Sequence, residues 1–445
     1  MKLVVGLIAA AGLLAMVRAA AARDVFPFPA FSRVLANGLA VVVVPYDSPG
    51  IVAYYSIVRA GSRDEVEPGH SGFAHFFEHM MFRGTERYST EAYNDLFKAL
   101  GSDANAYTSD DLTVYHALLG KEGLEQVVDA ESDRFMNLAY SEADFKQEAK
   151  AVLGEYNKNY SNPIRKLFER VRDVAYDRHT YKHTTMGFYD DILDMPNQYD
   201  YSLTFFRRFY TPANTVILVV GDVDAEAAHA LVERNYGGWS RPPYNHAVPD
   251  EPEQTAPRSA HIDWDNPTLP YLAVAFKAPA FSTGTRDCAA LDVLARLVFD
   301  ETGELYQRLV IREQKVEYLR SYAPDRRDPG LFVVYARIKD EAHVSEVQEA
   351  IFAAVEGAAR EETPSPRLDA VKSHLRYSLA MSLDTAGGVA GHLAHYLSLT
   401  ADARTINEAY RRYDEVTAAD VQRVAGTYLT PERSTVVTLT GVHEE

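Results

Sequence analysis

The 445-residue chain contains one cysteine, Cys288. It cannot close a disulfide on itself, and it cannot build a metal cluster on thiolates. Positive charge is also scarce: Lys and Arg total 45 against 63 Asp and Glu, a formal charge of -18. That balance argues against nucleic acid as the main partner, because phosphate binding needs clustered positive charge. What is present has globular composition, 47% hydrophobic, 11% aromatic and 24% charged, which excludes a largely disordered chain. The length predicts two or three domains. Metal chemistry, if any, falls to histidine and carboxylates.

The N-terminus, MKLVVGLIAAAGLLAMVRAAAARD, carries Lys2, an apolar run over residues 3–17 and small residues 19–22. This is the layout of a secretory signal with a small-residue cleavage site, predicted to span residues 1–22. The apolar run is shorter than the ~20 residues of a spanning helix and ends at Arg18, so no stable membrane anchor is expected. Export without disulfides points to a periplasm.

The rest of the chain reads as two copies of one unit. Residues 241–258, RPPYNHAVPDEPEQTAPR, hold five prolines and no apolar periodicity, the signature of a linker. The first half closes with YTPANTVILVVGDV and the second with LTPERSTVVTLTGV, offset by about 219 residues. Each is a Thr-Pro turn, a β-branched strand and a glycine. Such a period indicates a duplicated domain, since solenoid repeats run ~20–50 residues. The predicted domains are 23–240 and 259–445. Strands are expected at residues 39–44, 51–58, 271–276 and 331–338, and helices at 89–100, 124–138, 142–159 and 368–382. Strands followed by helices, without strict alternation, predict an α+β fold with a mainly antiparallel sheet in each domain.

The strongest local signal is GFAHFFEHMMF. His75 and His79 are four apart and so share one face of a helix, where both imidazoles can reach one zinc ion. Glu78 projects to the same side, placed to act on a metal-activated water. The order H-x-x-E-H is a known catalytic pattern; the alternative is an amphipathic helix with two polar histidines. Superposing Phe82 on Phe299 puts Asp292, Ala295 and Arg296 where His75, Glu78 and His79 stand. The second half thus has a similar apolar helix without the ligands. A catalytic zinc needs a third protein ligand, and QEAKAVLGEYNKNYSNP offers Glu148 and Glu155, seven apart and on one helical face. His392 and His395 share a helix without a suitably spaced carboxylate and read as helix-face residues.

The segments AGSRDE, HFFEHMMFRGT, GSDANAYTSDDLTVYH and EAKAVLGEYNKN together resemble the pitrilysin, insulin-degrading enzyme and mitochondrial processing peptidase family of inverted-motif zinc peptidases. The resemblance covers nearly the whole chain after the signal. It implies that Glu155 is the third zinc ligand and that Glu148 is a supporting acidic residue in the catalytic machinery. It also implies that Asn105 and Ala106 lie on a strand where an extended peptide substrate pairs through its backbone. Fully active family members use an Arg and a Tyr spaced R-x6-Y. In LYQRLVIREQKVEYLRSY, Arg308 and Arg312 miss that spacing, although Arg312 and Tyr318 come within one residue of it. The expected arrangement is therefore a two-chain assembly, with a zinc-less homologous subunit supplying the pair. The predicted function is a zinc-dependent endopeptidase acting on short or unfolded peptides. The alternatives are a non-catalytic scaffold or a peptide-binding subunit with a structural metal.

Overall fold

The computed structural model describes residues 24–442, so the predicted signal lies outside the described residues. Among the described residues, eleven strands form two sheets. In the first, β1 (Phe31–Val34), β2 (Ala40–Pro45), β3 (Ile51–Val58), β4 (Asp103–Thr108), β5 (Thr113–Gly120) and β6 (Thr215–Gly221) lie in the order β1-β2-β6-β3-β5-β4. In the second, β7 (Arg258–Trp264), β8 (Tyr271–Lys277), β9 (Val316–Tyr322), β10 (Leu331–Ile338) and β11 (Ser434–Gly441) lie in the order β7-β11-β8-β10-β9. The two orders are the same once β1 is set aside. Each sheet also has one parallel pair, β2 with β6 and β7 with β11, among otherwise antiparallel neighbours. The repeat visible in the Thr-Pro-strand-Gly segments is thus a repeat of sheet topology, and the class is α+β.

Strands β6 and β8 are buried along their whole length. Such unbroken apolar runs, TVILVVG and YLAVAFK, mark strands covered on both faces. The cover on one face of each sheet comes from the other half of the chain. Helix Ala386–Thr400 sets Val389, Leu393 and Leu397 against Val42, Ile57, Val216 and Leu218 of the first sheet. Conversely, a helix over Pro163–Ala175 sets Leu167 and Val171 against Tyr271, Ala273, Val437 and Leu439 of the second. Each half lends the other a helix. At ~1.5–3 kcal/mol per buried aliphatic side chain, this exchange binds the halves through apolar burial.

An ionic clamp adds direction to that contact. The loop carrying Arg326, Arg327 and Asp328 enters between two first-half segments. Arg326 pairs with Asp110, while Arg327 donates to Asp64 at 3.1 Å and its backbone N–H to Asp111 at 3.0 Å. Asp328 accepts from Arg63 Nε at 2.5 Å. The AGSRDE and SDD residues are therefore occupied in joining the halves. Gly61 allows the close approach: a Cβ there would lie 2.3 Å from Ser109 O. Residues 241–257 form neither helix nor strand, but they are pinned. His246 contacts Asp64 at 3.0 Å, and Glu251 accepts the backbone N–H groups of Asp177, Arg178 and His179. Among the described residues no helix is long and apolar enough to cross a membrane.

Candidate metal centre

Two helices build the site. The first, α1 (Phe73–Met80), starts at Gly72, whose φ of 88° is left-handed and whose missing Cβ leaves room for the Ile192 side chain. The Glu65 carboxylate accepts the Gly72 and Ala74 N–H groups at 2.7 Å each, satisfying the first turn. Phe73, Phe76, Phe77 and Met80 are fully buried. Phe76 packs edge-on against Phe145, and Phe77 stacks on Phe205 and Phe206. With that face committed to the core, His75, Glu78 and His79 are left on the opposite side.

The Thr90–Ala99 helix α2 and the Leu124–Asn137 helix α3 follow. The second site helix, α4 (Glu142–Tyr160), opens with a capping box in which Ser141 and Asp144 satisfy each other's N–H groups. It buries Phe145, Ala149, Val152 and Tyr156, a 3.6-residue stripe. Glu148 and Glu155 emerge on the side facing α1.

The structure brings the sequence candidates together. His75 Nε2 lies 3.7 Å from Glu155 Oε2 and His79 Nε2 lies 3.5 Å from the same oxygen. One ligand atom from each of the three residues falls within 4.8 Å of the others, the one such group among the described residues. These spacings exceed a hydrogen bond. A tetrahedral ion bonded at ~2.0–2.2 Å sets its ligand atoms roughly 3.4 Å apart, so the donor set fits a zinc ion. Burial and the neighbouring His79 push His75 down to about 4, keeping it neutral, as a ligand must be.

Glu148 stands behind His79. The His79 Nδ1–H donates to Glu148 Oε1 at 2.9 Å, while the second oxygen accepts from Arg83 Nε at 2.9 Å. The hydrogen bond to Glu148 raises the His79 pKa and lowers that of Glu148. It also fixes the tautomer that leaves Nε2 free toward Glu155. Glu78 accepts from Thr108 Oγ1 at 2.8 Å, and burial raises its pKa. Thr108 ends β4, the outermost strand of its sheet. Asn105 and Ala106 lie on that strand, and the Ala106 N–H is taken by Asn105 Oδ1 at 2.9 Å. A cavity of about 390 Å³ opens here, lined by Glu78, His79, Phe82, Asn105 and Ala106 among others.

Three participants escaped the sequence reading: Arg83, Thr108 and Asn159, whose amide lies 3.5 Å from Glu155 Oε1. Arg83 and Asn159 are each four residues past a candidate ligand, a helical spacing that could have flagged both. Arg312 and Tyr318 are occupied elsewhere. Arg312 pairs with Glu304, and Tyr318 packs edge-on to Tyr335 in the second half. In the second half, helix Asp287–Phe299 places Arg296 within 3.6 Å of both Asp292 and Asp300. A guanidinium between two carboxylates stands where the first half has its histidines.

The inverted H-x-x-E-H helix packs directly on the acidic helix α4, with the edge strand β4 beside it. Two family models match the chain: residues 41–188 match the insulinase family, peptidase M16, and residues 198–375 match the peptidase M16 inactive domain. The chain belongs to the M16 peptidase family. It is 29% identical over 419 residues to the zinc protease PqqE of Helicobacter pylori, covering 92% of each chain. It is 25% identical to a probable mitochondrial-processing peptidase subunit beta of Arabidopsis thaliana, over 89% of this chain and 75% of that one. The crystal structure of a protease from Helicobacter pylori superposes with a TM-score of 0.87 at 28% identity, covering 93% of this chain and 99% of that one. The periplasmic protease PqqL of Escherichia coli shares the fold, with a TM-score of 0.75 at 20% identity. There this chain spans 92% of its own length but 47% of PqqL.

Proposed function

We propose that the protein is a zinc endopeptidase that cleaves extended peptides. The observation that carries this reading is the convergence of His75, His79 and Glu155 beside Glu78, with His79 and Glu78 lining a cavity bordered by the outermost strand β4. Zinc held by these three residues would polarise the scissile carbonyl and lower the pKa of water at the site toward ~7. Glu78 takes the proton of the attacking water and hands it to the leaving amine. Its raised pKa and its hydrogen bond to Thr108 suit a group that must both accept and release a proton. Glu148 positions His79. The β4 edge that carries Asn105 and Ala106 offers backbone groups to an extended substrate once Asn105 Oδ1 releases the Ala106 N–H, giving affinity without demanding one side-chain sequence.

The relatives named zinc proteases support the cofactor and the reaction. We assign the site to residues 23–240, with 259–445 as its non-catalytic homologue; the sheet order repeated in the two halves supports that reading. The chain works as half of a two-chain chamber, whose zinc-less homologous subunit supplies the Arg/Tyr pair. Support comes from the subunit organisation named for the mitochondrial relative and from PqqL, where a chain about twice as long contains this fold. Export to a periplasm rests on the signal-like residues 1–22.

The test is purification from the native host with metal analysis, followed by hydrolysis assays on the chain alone and with any co-purifying chain. One zinc per chain and turnover that needs the second chain are expected. Full turnover by a demonstrated monomer would remove the partner from the account.

A further inference from the structure

Beside the metal centre lies a larger cavity of about 570 Å³, within the usual range of ligand pockets. It runs between the two halves. Asn159 and Tyr160 of α4 form its wall next to Glu155, Ser109 follows the residue that holds Glu78, and Tyr322, Leu331 and Tyr335 close it from β9 and β10. The walls are largely aromatic and aliphatic, with Phe168 and Tyr335 packed edge to face at 5.0 Å.

The charge of this cavity runs against that of the chain. Its charged lining residues are Arg165, Arg172, Arg326 and Asp110, three cations and one anion in a protein of formal charge -18. Arg172 grips Asp110 with two hydrogen bonds, at 2.7 and 2.9 Å, and Arg326 pairs with the same carboxylate. Burial raises Asp110, but the two guanidiniums outweigh it and hold the carboxyl well below its usual range. Arg165 differs. It is exposed on the first turn of the Pro163–Ala175 helix, and its guanidinium has no hydrogen-bond or ion-pair partner among the described residues. An uncommitted guanidinium at the edge of an apolar cavity is suited to hold a carboxylate.

We propose that this cavity is a subsite of the peptide groove, and that Arg165 selects peptides carrying a carboxylate next to an apolar segment close to the scissile bond. The inference rests on the peptidase reading above. The carboxylate has two possible sources, a Glu side chain or a free C-terminus, and both present the same group to Arg165.

Three fluorescent peptides of one sequence separate them: one with Glu and an amidated end, one with Gln and an amidated end, and one with Gln and a free C-terminus. Binding to the full-length zinc-loaded chain carrying Glu78→Gln is read by anisotropy, and hydrolysis is read on the parent chain with its partner. At least one carboxylate peptide binds about fivefold tighter than the amidated Gln peptide, as expected for one partly exposed charge pair, and its identity names the source. Adding Arg165→Gln erases that ratio, and Arg165→Glu inverts it. Equal binding of all three peptides, no saturable binding of any, or a ratio that survives Arg165→Glu overturns the subsite. A carboxylate ratio that depends on Arg165, found with no hydrolysis of any peptide, overturns the peptidase reading and leaves the subsite standing.

Discussion

His79 Nδ1 and Glu148 Oε1 lie 2.9 Å apart, with Arg83 bonded to the other carboxylate oxygen. This three-residue chain holds one imidazole so that its second nitrogen faces Glu155. Partners of this kind typically contribute 10- to 100-fold to metal affinity. Glu148→Gln keeps the shape and removes the charge. We expect zinc affinity to fall by about 10-fold, with the far-ultraviolet circular dichroism unchanged. Competition against a chromophoric chelator measures it, and unaltered affinity would show that Glu148 does not position His79.

The exchange of helices makes each half depend on the other. Leu393 belongs to the second half by sequence but is buried against the first sheet. Leu393→Ala is expected to destabilise the chain by about 2–5 kcal/mol, the usual range for a buried leucine. Leu167→Ala, on the reciprocal helix, should cost a similar amount. Urea unfolding followed by tryptophan fluorescence checks this, since Trp239 is buried in the first half. If the halves unfolded independently, Leu393→Ala would spare the transition reported by Trp239.

Acid sensitivity has an identifiable source. His183 is buried, with Nδ1 2.9 Å from Thr184 O, and burial lowers its pKa to about 4. The unfolded chain binds this proton near pH 6.5. Stability from this group is therefore complete above about pH 6.5 and is lost as pH falls toward 4, by about 3 kcal/mol over the window. Asp110, held low by Arg172 and Arg326 against its burial, adds a loss at still lower pH. Urea midpoints measured between pH 7 and pH 4.5 should fall for the parent and fall less steeply for His183→Gln. Parallel slopes would assign the acid sensitivity elsewhere.

Much of this architecture was legible in the sequence, for definite reasons. β3 and β10 occupy the expected residues because their apolar runs are bounded by turn residues. The four-residue spacing of His75 and His79 and the seven-residue spacing of Glu148 and Glu155 survive in space because both pairs lie on regular helices. The reciprocal helices were not legible. An apolar stripe such as Leu167 and Val171 announces burial but does not name the sheet that buries it. The clamp was hidden as well: Asp110 and Arg326 are far apart in sequence, and charged residues near loops ordinarily face solvent. The role of AGSRDE in joining the halves could be seen only once the DRRD loop was in place.

The central claim is that Glu78 moves the proton at a zinc site it does not itself form. The direct measurement pairs zinc content with peptide hydrolysis for the parent and Glu78→Gln, each assayed with its co-purifying partner. The account predicts one zinc per chain in both and at least a 100-fold loss of turnover in Glu78→Gln, the scale of a general-base contribution. A Glu78→Gln protein that holds its zinc and cleaves peptides at the parent rate would contradict it.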